Sequence, residues 1–124
     1  MERSPGILLV DDNALTLLTL TRILEQHGYS VRAVGTSEGA LAAVESGNIS
    51  LVLMDYHLPG DGGELGATLR RSRPGLPIIV ISGDPDAADA AGFADLLLPK
   101  PQDVDQLLAH IRELLQRESP EKAA

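Results

Sequence analysis

The sequence predicts an α/β fold built on an open, doubly wound parallel sheet, and three observations predict it. Five short apolar runs recur at near-even intervals along the chain. A helical pattern fills each interval, and strictly alternating strands and helices mean parallel strands joined by right-handed crossovers. Three of the runs are almost free of polar residues, as strands covered on both faces are.

The elements follow in order. GILLV (6–10) is the first strand, and residues 14–27 form the first helix, stopped by a C-capping Gly28. SVRAV (30–34) alternates and contains Arg32, which predicts a less covered edge strand. Residues 38–46 form the second helix, with Thr36 or Ser37 as N-cap and Gly47 as stop. SLVLM (50–54) is the third strand, residues 63–73 a helix closed by Pro74-Gly75, and PIIVI (77–81) the fourth strand. ADLLLP (94–99) is the fifth. In the last helix Val104, Leu107, Leu108, Ile111, Leu114 and Leu115 follow the i, i+3, i+4, i+7 stripe. Asp103 and Asp105 fall in its first turn, where the helix dipole favours negative charge. The polar end RESPEKAA predicts fraying, so one domain is expected over 1–118 with a tail at 119–124.

Composition excludes several classes of function. The chain has 124 residues, enough for one hydrophobic core, and with 2% aromatic residues that core must be aliphatic. It has no cysteine, which removes disulfides, thiol catalysis and Cys-based zinc sites and fits a cytoplasmic location. No apolar run approaches the roughly 20 residues of a membrane span. MERSPGILLVDD has too short an apolar run and too early an acidic pair for a secretory signal. Formal charge is −8, and direct nucleic-acid binding is disfavoured because phosphate contacts need clustered cations. The only dense basic group, Arg70, Arg71 and Arg73, reads as solvating a helix end.

In open parallel sheets, ligands gather beyond the carboxyl ends of the strands. The first strand leads into Asp11-Asp12, the third into Asp55, the fourth into Ser82, and the fifth into Lys100-Pro101. Singly, each is an ordinary solvated strand-end residue. Together they place three acids, a hydroxyl and a lysine on one rim. Three carboxylates within ~5 Å repel by roughly 3 kcal/mol per pair at an effective dielectric of 20. A hard divalent cation offsets that repulsion, and an all-oxygen site that keeps several waters suits Mg²⁺ or Mn²⁺. Asp55 can then act as a nucleophile towards a phosphoryl group, with the cation, Lys100 and the Ser82 hydroxyl sharing its charge. No residue stands out as a strong general base, so the acyl phosphate would hydrolyse slowly, as suits a signal.

LLVDDN (8–13), LVLMDYHLPG (51–60), VISG (80–83) and LPKP (98–101), in this order, resemble the motifs of response-regulator receiver domains in two-component phosphorelays. The resemblance implies a flavodoxin-like sheet in the order 2-1-3-4-5 with five helices. It implies that Asp55 is the phosphoacceptor and that Asp12, Asp55 and the His57 backbone carbonyl ligate the metal, with Asp11 acting through water. Ser82 resembles the switch hydroxyl, Gly83 offers its N–H to the phosphoryl group, and Lys100 pairs with it, followed by a cis bond to Pro101. The implied partner is a histidine kinase or a histidine-containing phosphotransfer protein, and the implied state a monomer or weak dimer.

Several features depart from the family pattern. Leu97 stands where receivers usually carry an aromatic switch residue, and the only nearby aromatic is Phe93. Ser82 and Lys100 are 18 positions apart, a short spacing, and the Ala- and Asp-rich DPDAADAAGFAD between them predicts a short or irregular fourth helix. ALTLLTLT (14–21) carries no charge. Leu17, Leu20 and Leu24 can face the sheet, whereas Leu15 and Leu18 are either a wide core stripe or a docking face for a partner helix. His57 and Asp84 are either plain rim residues or a pair that gates the hydrolytic water. His27 and His110 read as surface residues. Gly60, Gly62 and Gly63 lack the ending of a nucleotide-binding P-loop.

A phosphoacceptor module, either stand-alone or part of a larger protein, is thus the leading expectation. The alternatives are a degenerate receiver that only binds partners and an aspartyl-nucleophile phosphohydrolase. The latter usually carries a second Asp where this chain has His57.

Overall fold

A computed structural model describes residues 5–55, 62–82, 92–99 and 103–118. Nine elements are described: β1 (Gly6–Val10), α1 (Ala14–Gln26), β2 (Ser30–Val34), α2 (Ser37–Glu45), β3 (Leu51–Asp55), α3 (Gly62–Ser72), β4 (Ile78–Ser82), β5 (Leu96–Pro99) and α4 (Val104–Glu118). The strands form one parallel sheet in the order β2-β1-β3-β4-β5, the predicted flavodoxin-like arrangement. The helix expected between β4 and β5 falls largely outside the described residues.

Both faces of the central strands are buried, which explains their unbroken apolar sequences. Leu8, Val10, Val52, Met54, Ile78 and Val80 point to one face, where α2 brings Ala40, Ala43 and Val44 and α3 brings Leu65 and Leu69. Ile7, Leu9, Leu51, Leu53, Ile79 and Ile81 point to the other, against Leu24 of α1 and Leu107, Leu108, Ile111 and Leu114 of α4. Each fully buried Leu or Ile contributes about 1.5–3 kcal/mol relative to exposure. β2 is the edge strand its alternation predicts, with only Val31 and Val34 half-buried.

The cap of α2 and the glycines that stop α1 and α2 match the sequence signals, and Asn13 adds a cap to α1. Asn13 caps α1, its side chain accepting from Thr16 N–H at 2.9 Å, and Thr36 caps α2 by accepting from Gly39 N–H at 3.0 Å. Gly28 and Gly47 take φ of +92° and +88° just past α1 and α2, the left-handed turn that stops a helix. Asp103 precedes α4 instead of lying in its first turn, and its carboxylate accepts from Asp105 and Gln106 N–H.

Two further expectations need correction. β3 and β4 each run one residue further than their apolar runs, because Asp55 and Ser82 keep their backbones in the ladder, Asp55 opposite Ile81 and Ser82 opposite Pro99. Arg70 does not simply solvate a helix end. Its guanidinium reaches the Pro74, Leu76 and Phe93 carbonyls and the Asp95 carboxylate at 2.7–3.1 Å.

Candidate functional site

The site is assembled by the ends of three neighbouring strands. Asp11 follows β1 directly, and its N–H donates to the Val34 carbonyl at 3.1 Å, extending the ladder by one step. Asp55 ends β3, next to β1 in the sheet, and Ser82 ends β4 on the other side of β3. Strand register alone therefore carries Asp11, Asp55 and Ser82 to the same rim.

Carboxylate oxygens of Asp11, Asp12 and Asp55 all lie within 4.8 Å of one another. Asp11 and Asp55 are each only 7% exposed, Ser82 5%, and Asp12 is open to solvent. At such separations the pairwise repulsion is about 3 kcal/mol at an effective dielectric of 20. The donor set is entirely oxygen, with two ligands fixed on a rigid sheet and one on the solvent side. These residues fit a divalent metal ion, which takes oxygen ligands and neutralises the cluster. Asp11 is oriented by the turn into α1, where its Oδ1 accepts from Asn13 N–H at 2.8 Å. Asn13 thus both caps α1 and fixes an acid of the cluster. The sequence signal for it, a capping residue just ahead of an apolar helix, was readable at this position.

Lys100, Pro101, His57, Gly83 and Asp84 lie outside the described residues. Leu15 and Leu18 are 70% and 56% exposed, so they are not core. Leu17 and Leu20 pack on the α1 side of the sheet with Leu24, leaving an apolar exposed strip on the first turns of α1, directly after Asp11-Asp12. Leu97, at the aromatic position, lies opposite Val80 and is 41% exposed. His27 is exposed at the end of α1, with Nδ1 2.9 Å from the Ile23 carbonyl, and His110 is half-buried on α4.

Residues 7–112 match the family model described as the response regulator receiver domain. The transcriptional regulatory protein TcrA of Mycobacterium tuberculosis is 36% identical over an alignment of 116 residues that covers 90% of this chain and 46% of TcrA. The chain thus spans about half the length of that curated relative. Among solved structures, a CheY-like response regulator receiver domain protein from Methanospirillum hungatei superposes with a TM-score of 0.89 at 32% identity, covering 95% of this chain and 98% of that one. The response regulator TrrA of Thermotoga maritima, solved in complex with Mg²⁺-BeF, superposes with a TM-score of 0.81 at 28% identity, covering 88% of this chain and 97% of that one.

Proposed function

Because this chain belongs to the response-regulator receiver family of two-component signalling, we propose that Asp55 is its phosphoacceptor and that a Mg²⁺-class cation, Mg²⁺ or Mn²⁺, is its cofactor. The observation that carries this reading is the cluster of Asp11, Asp12 and Asp55 within 4.8 Å at the ends of β1 and β3. TrrA, of similar fold, binds Mg²⁺ with a beryllofluoride group, and that supports the same pairing of metal and phosphoryl group here.

A carboxylate oxygen of Asp55 attacks the phosphorus of a phosphohistidine. The new O–P bond forms as the N–P bond breaks, and the imidazole leaves with the electron pair. Asp55 sits at the end of a fully buried strand, which holds the nucleophile in place and reduces the reorganisation the reaction needs. A cation held by Asp12, Asp55 and the His57 carbonyl, with Asp11 acting through water, would supply charge neutralisation at the phosphoryl oxygens. Ser82 donates its hydroxyl to a phosphoryl oxygen, Gly83 its N–H, and Lys100 its ammonium. With no strong general base assigned, hydrolysis is slow and the chain acts as a signal carrier with autophosphatase activity. It is not a turnover enzyme.

The donor is a histidine kinase or histidine-containing phosphotransfer protein that docks on the exposed Leu15 and Leu18 strip. Among the described residues no helix is long and apolar enough to cross a membrane, and a cytoplasmic setting suits such a donor. Incubation with Mg²⁺ and a small acyl phosphate, followed by intact-mass analysis, tests the reading. One phosphoryl group per chain, lost slowly and absent in Asp55→Asn or with chelator, is expected. Rapid multiple turnover would mean a hydrolase, and no adduct a receiver that only binds partners.

A further inference from the structure

At the opposite end of the sheet, a second group of side chains joins elements that are distant in sequence. All five N–H groups of Arg70 are used. Nε donates to the Phe93 carbonyl at 3.1 Å, one terminal nitrogen to the Pro74 and Leu76 carbonyls at 2.7 and 2.9 Å, and the other to Phe93 and the Asp95 carboxylate at 2.7 and 2.8 Å. Asp95 in turn is bound to the first residue of β4. Its Oδ2 accepts from Ile78 N–H at 2.8 Å, and its own N–H donates to the Ile78 carbonyl at 2.8 Å. One helical turn before Arg70, Gly66 lies against the Phe93 ring so closely that a Cβ there would overlap it. Phe93 is 6% exposed, in the core on the α2–α3 face.

We propose that Arg70, Asp95, Phe93 and Gly66 weld the lead-in to β5 onto α3, so that α3 and β5 open and shift as one unit, including when the phosphoacceptor site is loaded. Two routes leave Asp55. Along the chain, α3 is the next element after β3, and across the sheet β4 is the neighbour of β3. Both routes meet at this node, because Arg70 belongs to α3 and Asp95 is bonded to β4. A saturated guanidinium is an all-or-none joint. The Pro74 and Asp95 contacts are open to water, but moving Phe93 or Leu76 leaves a donor and a carbonyl unpaired in a part-buried position, so these partners separate together. Leu97 is aliphatic and open to solvent, whereas the node four residues before it is packed and fully bonded. Transmission during loading rests on the phosphoacceptor reading, but the weld itself does not.

Amide hydrogen exchange on the full chain tests both parts. In the unloaded wild type, the last turn of α3 and residues 93–97 should share one opening transition along a denaturant series. In Arg70→Lys, which keeps the charge and loses the planar fork, and in Asp95→Asn, both segments should exchange faster, on the order of ten-fold, and no longer share one opening transition, with α1 unchanged. Loosening of 93–97 with α3 unchanged, no change in either segment, or loss of α1 protection to the same extent would overturn the weld. Addition of Mg²⁺ and beryllofluoride should change both segments by one factor in the wild type and by different factors in Arg70→Lys. A change confined to one segment, or in neither, would overturn transmission. Should ¹⁹F NMR show no beryllofluoride bound in the wild type, the phosphoacceptor reading falls and transmission with it, while the unloaded comparison still decides the weld.

Discussion

The two ends of this sheet solve opposite electrostatic problems. At the carboxyl end, three acids are gathered within 4.8 Å, two of them almost buried. Near the start of β4 and β5, one guanidinium meets an acceptor for every donor it has. The first arrangement sets like charges side by side, and a bound cation would lower its energy. The second lowers the energy of the folded chain outright. The difference teaches where function and stability reside in a small aliphatic domain. A ligand site is recognisable by like charges that the fold brings together, and a structural joint by charges that the fold fully satisfies.

If the contrast holds, the largest stability change should come from the satisfied end. Arg70→Ala takes from the Phe93, Pro74 and Leu76 carbonyls their side-chain donor and leaves Asp95 only the Ile78 N–H, and should cost about 2–4 kcal/mol in denaturant unfolding with the m-value unchanged. A loss below about 0.5 kcal/mol would place Arg70 among ordinary surface residues.

The acidic end should respond to an added cation. Mg²⁺ at a hundred times its dissociation constant should stabilise the wild type by about 2.7 kcal/mol, read as a concentration-dependent rise in Tm. Asp12→Asn should remove most of that rise, yet melt no lower than the wild type in chelator, because one of three repelling charges is gone. A variant that melts well below the wild type in chelator would show Asp12 to be a structural residue.

Gly66→Ala sharpens the comparison within α3. Helix propensity alone favours Ala by about 1 kcal/mol. The overlap with Phe93 costs more, so a net loss of about 1–2 kcal/mol is expected from thermal and denaturant unfolding. A stabilised variant would mean that Phe93 can yield at no cost. Smallest in stability are Leu15→Glu and Leu18→Glu, expected within about 0.5 kcal/mol of the wild type because both side chains are exposed. Their effect should appear instead as slower phosphotransfer from a phosphohistidine protein, with labelling by a small acyl phosphate unchanged.

The rim of the sheet was legible from the sequence because strand ends are set by short-range patterns. Apolar runs gave the strands, alternation gave β2 its edge position, and the strand order followed from the family resemblance. Asp11, Asp55 and Ser82 then fell on one rim by register alone. The limits of β3 and β4 were off by one residue because a polar side chain says nothing about whether its own backbone stays in the ladder. The exposure of Leu15 and Leu18 was an open choice, since helix periodicity does not reveal which neighbours cover a second stripe. The Arg70 node was not legible. Phe93 and Asp95 lie 23 and 25 positions away, and no local pattern marks a bond of that separation. The contact between Gly66 and the Phe93 ring is similarly distant in the chain and equally unmarked by any local pattern.

The most direct test of the central claim is to trap the acyl phosphate. After brief incubation with Mg²⁺ and a small acyl phosphate, borohydride reduction converts a phosphorylated aspartate to homoserine, which peptide mass mapping locates. Homoserine at position 55 alone, dependent on Mg²⁺ and lost in Asp12→Asn, is the predicted result. Modification at Asp11 or Asp12, or none at Asp55 while the metal is bound, would contradict it.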